Sequence, residues 1–148
     1  MNITNIIDRL EVHIPELYGR ISLASDITSG MMNIPKTAET SYGFLWAWVT
    51  DLDRESSQNR TIGANSQHYI WNFSVVIGVR DDIPPMGSVA FKRAELLGLK
   101  VASALAGFKP EEGYDLIQSI SGKLDDSKEY SIFWRENFST VSQLIRTF

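Results

Sequence analysis

The sequence predicts a single α+β domain, a mostly antiparallel β-sheet with two main helices packed on one face. Two segments repeat apolar residues at helical spacing, and several others alternate with the two-residue period of strands. No linker rich in Gly, Ser or Pro divides the 148 residues, and a chain of this length has room for one hydrophobic core. One domain over residues 1–148 is therefore expected, with the element order α-β-β-β-α-β-β.

The first element is predicted to be an amphipathic helix. Apolar residues recur at helical spacing from Ile3 to Ile14. Asn2 or Thr4 can cap the start of this helix, and Pro15 ends it. A short strand is expected next, over Arg20–Ala24.

A second helix is predicted from Ser88 to about Leu105, with Gly107 as its stop signal. On a helical wheel, Leu96 and Leu99 lie nearly opposite the stripe that would face the core. They are either isolated surface leucines, which are common, or part of a second contact face. The core stripe consists of Ala90, Ala94, Leu97, Val101 and Leu105.

Two aromatic-rich strands are predicted before this helix. The segment Tyr42–Thr50 is apolar on both faces, so both of its faces must be covered. The segment Tyr69–Arg80 alternates Tyr, Trp, Phe, Val and Ile on one face, which leaves little room for a helical interpretation. Trp46, Trp48 and Trp71 alternate within these apolar strands, which favours a place in the core or a protein interface over stacking on nucleic-acid bases.

A polar segment at about 51–67 is predicted to be a long loop. Compact domains rarely contain structureless loops longer than about 12 to 15 residues, and those that occur are usually functional or disordered. Arg54 and Arg60 lie in this segment and could contact phosphate.

The C-terminal part is predicted to form a hairpin. Its strands are expected over Leu116–Leu124 and Glu129–Arg146, joined at the turn-prone residues Asp125–Ser127. The apolar phase shifts along the second of these strands between Phe138 and Val141, which indicates a β-bulge or a bend there.

Composition excludes several functional classes. The chain has no Cys, so disulfides, thiolate zinc sites, iron–sulfur clusters and a cysteine nucleophile are excluded. A net charge of -4 argues against nucleic-acid binding by bulk electrostatics. The N-terminal residues do not resemble a signal peptide, and no apolar run approaches the roughly 18 residues that predict a membrane span. We expect no membrane association.

No catalytic, cofactor-binding or metal-binding residues are predicted. His13 and His68 lack a partner at metal-ligand spacing. The adjacent acid pairs all lie in predicted turns or loops, where carboxylates favour turn formation. The sequence contains no phosphate-binding loop, no dinucleotide-binding glycine motif and no nucleophile elbow.

Three segments resemble the tail terminator proteins of tailed bacteriophages. The first is a strand followed by a short connection and an amphipathic helix, the second is a Gly-aromatic-x-Pro turn that leaves that helix, and the third is the final strand. The opening helix with Pro shortly after it is also similar. The three segments are FSVVIGVR (Phe73–Arg80), LAGFKPEEG (Leu105–Gly113) and FWRENFSTVSQLIR (Phe133–Arg146), the last with Trp134, Phe138 and Thr140 in the family's pattern.

The resemblance implies a non-enzymatic virion protein without a cofactor. Such a protein forms a ring, typically a hexamer, on the head-proximal end of the tail tube, stops tube polymerisation and provides the surface on which the head and neck complex docks. The implied partners are further copies of the chain, the tail tube protein, a neck or head-completion protein and, in a contractile tail, the sheath protein. The protein would assemble in the host cytoplasm and reside in the tail or neck of the virion, with DNA only as passing cargo.

A heterologous ring needs two different complementary patches on each subunit. Our candidates for subunit or tube contacts are Trp46 and Trp48 on the apolar strand, and Leu96 and Leu99 on the second helix. Arg54 and Arg60 are candidates for contact with the lumen or the tube.

Two alternatives remain open from sequence. One is another neck or tail-completion protein of the same structural class. The other is a small-ligand-binding α+β domain with Trp46, Trp48, Trp71 and Tyr69 as pocket walls.

Overall fold

A six-stranded β-sheet lies at the centre of the computed structural model, with two α-helices on one of its faces. The structure describes residues 1–23, 39–40, 43–56, 66–82, 88–128 and 130–145. Along the chain the elements are α1 (Ile3–His13), a 3-10 helix (Pro15–Leu17), β1 (Ile21–Leu23), β2 (Glu39–Thr40), β3 (Gly43–Ser56), β4 (Ser66–Asp81), α2 (Ser88–Leu105), β5 (Gln118–Lys128) and β6 (Ser131–Ile145).

The strand order in the sheet is β1-β3-β4-β6-β5, and β2 pairs with β3. The short β1 runs parallel to β3, whereas the other described strand pairs are antiparallel. The predicted α+β class, with a mostly antiparallel sheet, is confirmed.

The helix boundaries follow local sequence signals. The Asn2 side chain accepts a hydrogen bond from the Thr4 backbone N–H at 3.0 Å, as expected of an N-cap, and α1 ends before the 3-10 turn that Pro15 begins. Helix α2 spans the predicted range, and Gly107 follows it with φ +81°, a conformation that glycine adopts without strain.

The main core fills the space between the helices and the sheet. The α2 residues predicted to face inwards, from Ala90 to Leu105, are all buried there, together with Ile6 and Leu10 of α1. In β3, β4 and β6, every second residue points to the helices, as Val75 of β4 and Phe138 of β6 do. The alternation predicted for β4 therefore points its aliphatic and aromatic side chains to the helices.

The opposite face of the sheet carries a second apolar cluster around β3. Phe44, Trp46 and Trp48 are buried beside Val76, and Phe133 packs against them. The Trp46 indole N–H donates to the Ser22 hydroxyl at 2.9 Å. Since Leu45, Ala47 and Val49 are buried on the helix side, both faces of this strand are covered, as its sequence predicts.

The predicted loop at 51–67 is wrong at both ends. Strand β3 continues to Ser56, and its residues 53–56 pair with residues 69–72 of β4 after a bulge that contains Asp51 at φ 55°. Polar residues form strand here because the backbone pairs satisfy the peptide groups, so the side chains can remain in water on both faces. Residues 57–65, which include Arg60, lie outside the described part of the chain.

The predicted C-terminal hairpin is present, but its details differ from the prediction. Residues 126–128 of β5 still pair with β6, so the reversal falls after Lys128 rather than at Asp125–Ser127. The register shifts lie in β5, around Ile120 and Asp125, whereas β6 pairs with β4 without interruption. Bulges are easily accommodated in β5 because it pairs with only one described strand, so an extra residue disturbs a single ladder.

Two glycines make room for large side chains beneath α2. A Cβ on Gly98 would lie 2.5 Å from Nε1 and Cδ1 of Trp134, so the helix backbone rests directly on this indole. Gly122 of β5 leaves the corresponding space for the Glu136 carboxylate. Glu136 is 5% exposed, and its Oε2 atom has no hydrogen-bond partner among the described residues.

Replacing Gly98 by alanine is expected to destabilise the fold. Alanine would raise helix propensity by about 1 kcal/mol, but overpacking a filled core costs about 1–3 kcal/mol. We expect a net loss of about 1 kcal/mol in the free energy of unfolding, measured in urea. The exposed change Ser103→Ala on the same helix should be neutral or slightly stabilising. A Gly98→Ala protein more stable than the wild type would show that α2 does not rest tightly on Trp134.

Glu136 should make stability depend on pH in a defined direction. Burial raises the pKa of Glu136, and the nearby Trp134 indole N–H offsets only part of this rise. Because the pKa is raised on folding, stability falls as the pH rises from about 4 through the folded-state pKa. A Glu136→Gln variant should therefore be more stable than the wild type at pH 7, with a difference that shrinks towards pH 4.

Thermal unfolding between pH 4 and 8 measures this effect. The control is Glu112→Gln, because the Glu112 side chain is 97% exposed. Parallel pH profiles for the wild type and Glu136→Gln would contradict the assignment.

Candidate protein-interaction surfaces

The outer face of α2 presents two leucines to solvent. Leu96 is 54% exposed and Leu99 is 59% exposed, as expected from their place opposite the core stripe. Glu95 is exposed beside them and makes no ion pair with a described residue. This face therefore combines apolar surface with an exposed carboxylate. Its use as a contact surface stays a prediction.

Trp46 and Trp48 occupy a different environment. They are only 7% and 3% exposed, because they pack in the cluster on the opposite face of the sheet. They lie apart from Leu96 and Leu99, with the sheet between the two pairs. Their contribution to an interface stays a prediction, and within one chain they leave little surface for a partner.

Arg54 lies at the far end of the β3–β4 hairpin, on a strand rather than in a loop. It pairs across the strands with Trp71, and its guanidinium carbon is 4.6 Å from the Tyr69 ring centroid and 5.7 Å from that of Trp71. These distances are typical of cation–π contacts. The aromatic faces thus hold the planar guanidinium group in place.

The surface around Arg54 is a shallow cavity of about 210 Å³. The Trp71 indole N–H donates to the Ser142 hydroxyl at 2.7 Å, and the Trp71 and Tyr114 ring centroids are 6.1 Å apart. Burial, together with the charge of Glu111, raises the pKa of Tyr114 above its usual value. We call Arg54, Tyr69, Trp71 and Tyr114 the aromatic shelf. It can receive a carboxylate beside apolar groups.

An ion-pair network crosses the sheet face opposite the helices. The Arg135 guanidinium on β6 contacts Asp51 of β3 and Asp125 of β5, the latter at 3.1 Å. Burial by itself would lower the pKa of Arg135, but the hydrogen bonds to Asp125 and Asp51 outweigh it and raise the pKa. The Arg135 side chain is only 15% exposed. Through its two aspartate partners, its guanidinium group links the strands β3, β5 and β6.

Sequence reasoning missed this network. The sequence predicts a loop at Asp51 and a turn at Asp125, and only strand order and register bring both residues to Arg135. A separate hydrogen-bonded chain lies on the same sheet face, in which the Ser74 hydroxyl donates to Asn137 at 2.6 Å and the Asn137 amide donates to Ser121 at 3.0 Å. The cavity of about 510 Å³ beside it is lined by polar residues together with Phe73, Ile120 and Phe138.

Within the ranges that the structure describes, no group of three or more His, Asp or Glu side chains is placed to hold a metal ion. None of the described helices is both long enough and apolar enough to span a membrane.

The fold is shared with a chain of a solved virion structure. A chain in the solved structure titled "Virion of native gene transfer agent (GTA) particle" matches with a TM-score of 0.60 and 10% sequence identity, over 94% of this chain and 92% of that one. At this identity the likeness concerns the fold alone. A search of curated proteins found no match.

The family follows from the sequence itself. The family model described as phage tail terminator protein matches residues 1–147, so the chain belongs to the phage tail terminator family. The resemblance seen in the three sequence segments is thereby confirmed. The protein has a structural role in a phage tail, and its place is the virion.

The Arg135 network should contribute measurably to stability. Arg135→Gln would leave Asp51 and Asp125 without their cation, and hydrogen bonds to charged groups contribute about 1.5–3 kcal/mol when well shielded. Because both aspartates are partly exposed, we expect a smaller loss, of about 1 kcal/mol. The control is Arg80→Gln, whose exposed pair with Asp82 should contribute less than about 0.5 kcal/mol. Equal losses in urea unfolding for the two variants would contradict a special role for Arg135.

Proposed function

We propose that this protein forms a ring of identical subunits, typically six, on the head-proximal end of the tail tube. The ring stops polymerisation of the tube and provides the docking surface for the head and neck complex. The single observation that carries the proposal is the family match over residues 1–147. The fold shared with a chain of a gene transfer agent virion supports the same class of role.

The surfaces of the subunit fit a heterologous ring. Such a ring joins two different patches of each subunit, head to tail. The chain has at least two chemically distinct exposed surfaces, the outer face of α2 with Leu96 and Leu99 and the aromatic shelf with Arg54. We propose that Leu96 and Leu99 are buried by a neighbouring subunit or by the tube. Trp46 and Trp48 would then support such contacts from beneath the surface.

The further partners are proposals from the family role. The tail tube protein lies below the ring, a neck or head-completion protein docks above it, and a contractile tail adds a sheath protein. Assembly takes place in the host cytoplasm, and DNA passes as cargo without being bound. The net charge of -4 is compatible with a ring that does not retain DNA.

A related structural role, as another neck or tail-completion protein, has the same support from the fold but not from the family match. The ligand-binding alternative has less support. Tyr69 and Trp71 line a cavity of only about 210 Å³, below the usual range of about 300–1,000 Å³ for ligand pockets. Trp46 and Trp48 are buried in the second cluster.

Size-exclusion chromatography with light scattering tests the ring, with the chain alone and mixed with the tail tube protein of the same virion. We expect a ring alone or on the tube, and a Leu96→Asp/Leu99→Asp double variant should assemble at least about tenfold less tightly. Its circular dichroism should match the wild type, because both leucines are solvent-exposed. A chain that is strictly monomeric and does not bind tubes would refute the proposed function. An unfolded double variant would show that the leucines belong to the core.

A further inference from the structure

We infer that the aromatic shelf of one subunit receives the outer face of α2 from a second copy of the chain, with Arg54 paired to Glu95. This inference rests on the proposed ring and names the two halves of its subunit contact. It joins two surfaces that are both exposed in the single chain.

The Arg54 guanidinium of the shelf is held in place by aromatic rings and forms no ion pair with a described residue. Tyr69 and Trp71 position the Arg54 guanidinium through their rings, and Trp71 is fixed in turn by Ser142. No described carboxylate pairs with Arg54, whereas Arg80 and Arg135 both have aspartate partners. A guanidinium stacked on rings still directs its N–H donors outwards in the plane of the group, where a carboxylate can accept two of them.

The aromatic part of the shelf needs an apolar partner. Tyr69, Trp71 and Tyr114 are each only partly buried in the single chain, and the cavity they line with Arg54 has the volume of several water molecules. Covering these rings would remove apolar area from water, which favours association. The partner surface must therefore offer both an acid and aliphatic side chains.

The outer face of α2 has that composition. Glu95 precedes Leu99 by one helical turn and is adjacent to Leu96, so the three side chains leave the same side of the helix. Both leucines are more than half exposed, and Glu95 has no described cationic partner. The exposed Lys92 lies on the same side of the helix, so this face carries one cation and one anion. Glu95 and the two leucines match Arg54 and the rings of the shelf, and the two surfaces differ from each other as a heterologous contact requires.

The charges near the shelf disfavour a nucleic-acid ligand. Phosphate backbones are held by several cations in a row. Here Glu111 and Glu112 flank Arg54, and the nearby Lys109 already pairs with Glu112 at 3.3 Å. The site thus offers one cation, which suits a single carboxylate better than a row of phosphates.

Charge reversal in the full chain tests the pairing. Arg54→Glu and Glu95→Arg should each raise the concentration needed for half-maximal ring formation at least about tenfold, because each places like charges in contact. The double variant Arg54→Glu/Glu95→Arg carries the swapped pair at every contact and should return to within about threefold of the wild type. Sedimentation velocity and light scattering measure the assembly, with the tube protein added if rings close only on it.

Matched reversals serve as controls. Arg80→Glu and Asp126→Arg change charges of the same signs at exposed positions outside the proposed contact, and they should leave assembly unchanged. If a reversal at Arg54 or Glu95 disturbs the fold, as judged by circular dichroism, the neutral cycle of Arg54→Gln, Glu95→Gln and their double variant replaces it. Coupling between the two neutral changes then supports the pairing, and additive effects overturn it.

The outcomes separate the inference from the proposed function. The Arg54–Glu95 pairing is overturned if the wild type forms rings and neither single charge reversal weakens their assembly. It is also overturned if the single reversals weaken assembly and the double variant does not restore it. Both results leave the proposed ring intact. If Arg54→Glu weakens only the binding of the tube, the anionic partner of Arg54 is a carboxylate of the tube subunit. If it weakens the binding of duplex DNA, the anionic partner is a phosphate. Either result also overturns the pairing. A wild-type chain that never assembles refutes the proposed function itself.

Discussion

The uninterrupted pairing of β4 with β6 is the contact on which the rest of the structure depends. Residues 66–80 meet residues 145–131 without a register shift, and β4 pairs on its other side with β3. Because successive side chains alternate between faces, this register decides which residues meet the helices. It brings Phe73 and Phe138 together as stacked rings with centroids 5.3 Å apart. A slip by one residue would exchange the two faces, so the register fixes the core and the outer surfaces together.

Irregularities are confined to the strands around this central pair. Strand β3 bulges at Asp51, and β5 bulges twice, while β4 and β6 remain in register. The bulge at Asp51 directs its carboxylate to Arg135, which also holds Asp125, so the polar network ties the irregular strands to the regular one. Likewise, Trp71 and Ser142 link β4 to β6 and support the position of Arg54. Polar contacts thus hold in place the side chains on the parts of the sheet that the apolar core does not cover.

These surfaces suit a subunit that works by contact with other subunits. The family to which the chain belongs is one of phage tail structure, and the described residues present exposed leucines on a helix and a stacked arginine at a hairpin end. Both features lie outside the buried core, so the single chain covers them only in part. A protein that assembles must keep such groups exposed until its neighbours cover them, at the cost of some solubility.

The sequence by itself determined the α+β class, both helices and the buried centres of the strands, because apolar periodicity and caps act over a few residues. It also determined that Leu96 and Leu99 face away from the core, since α2 is regular over its whole length. Tertiary structure alone decided that residues 51–56 are strand, that the last hairpin turns after Lys128, and that Arg135 meets two aspartates. It also placed Arg54 on the rings of Tyr69 and Trp71. The physical reason is that polar residues carry no periodic signal, so only pairing between distant strands determines where they lie.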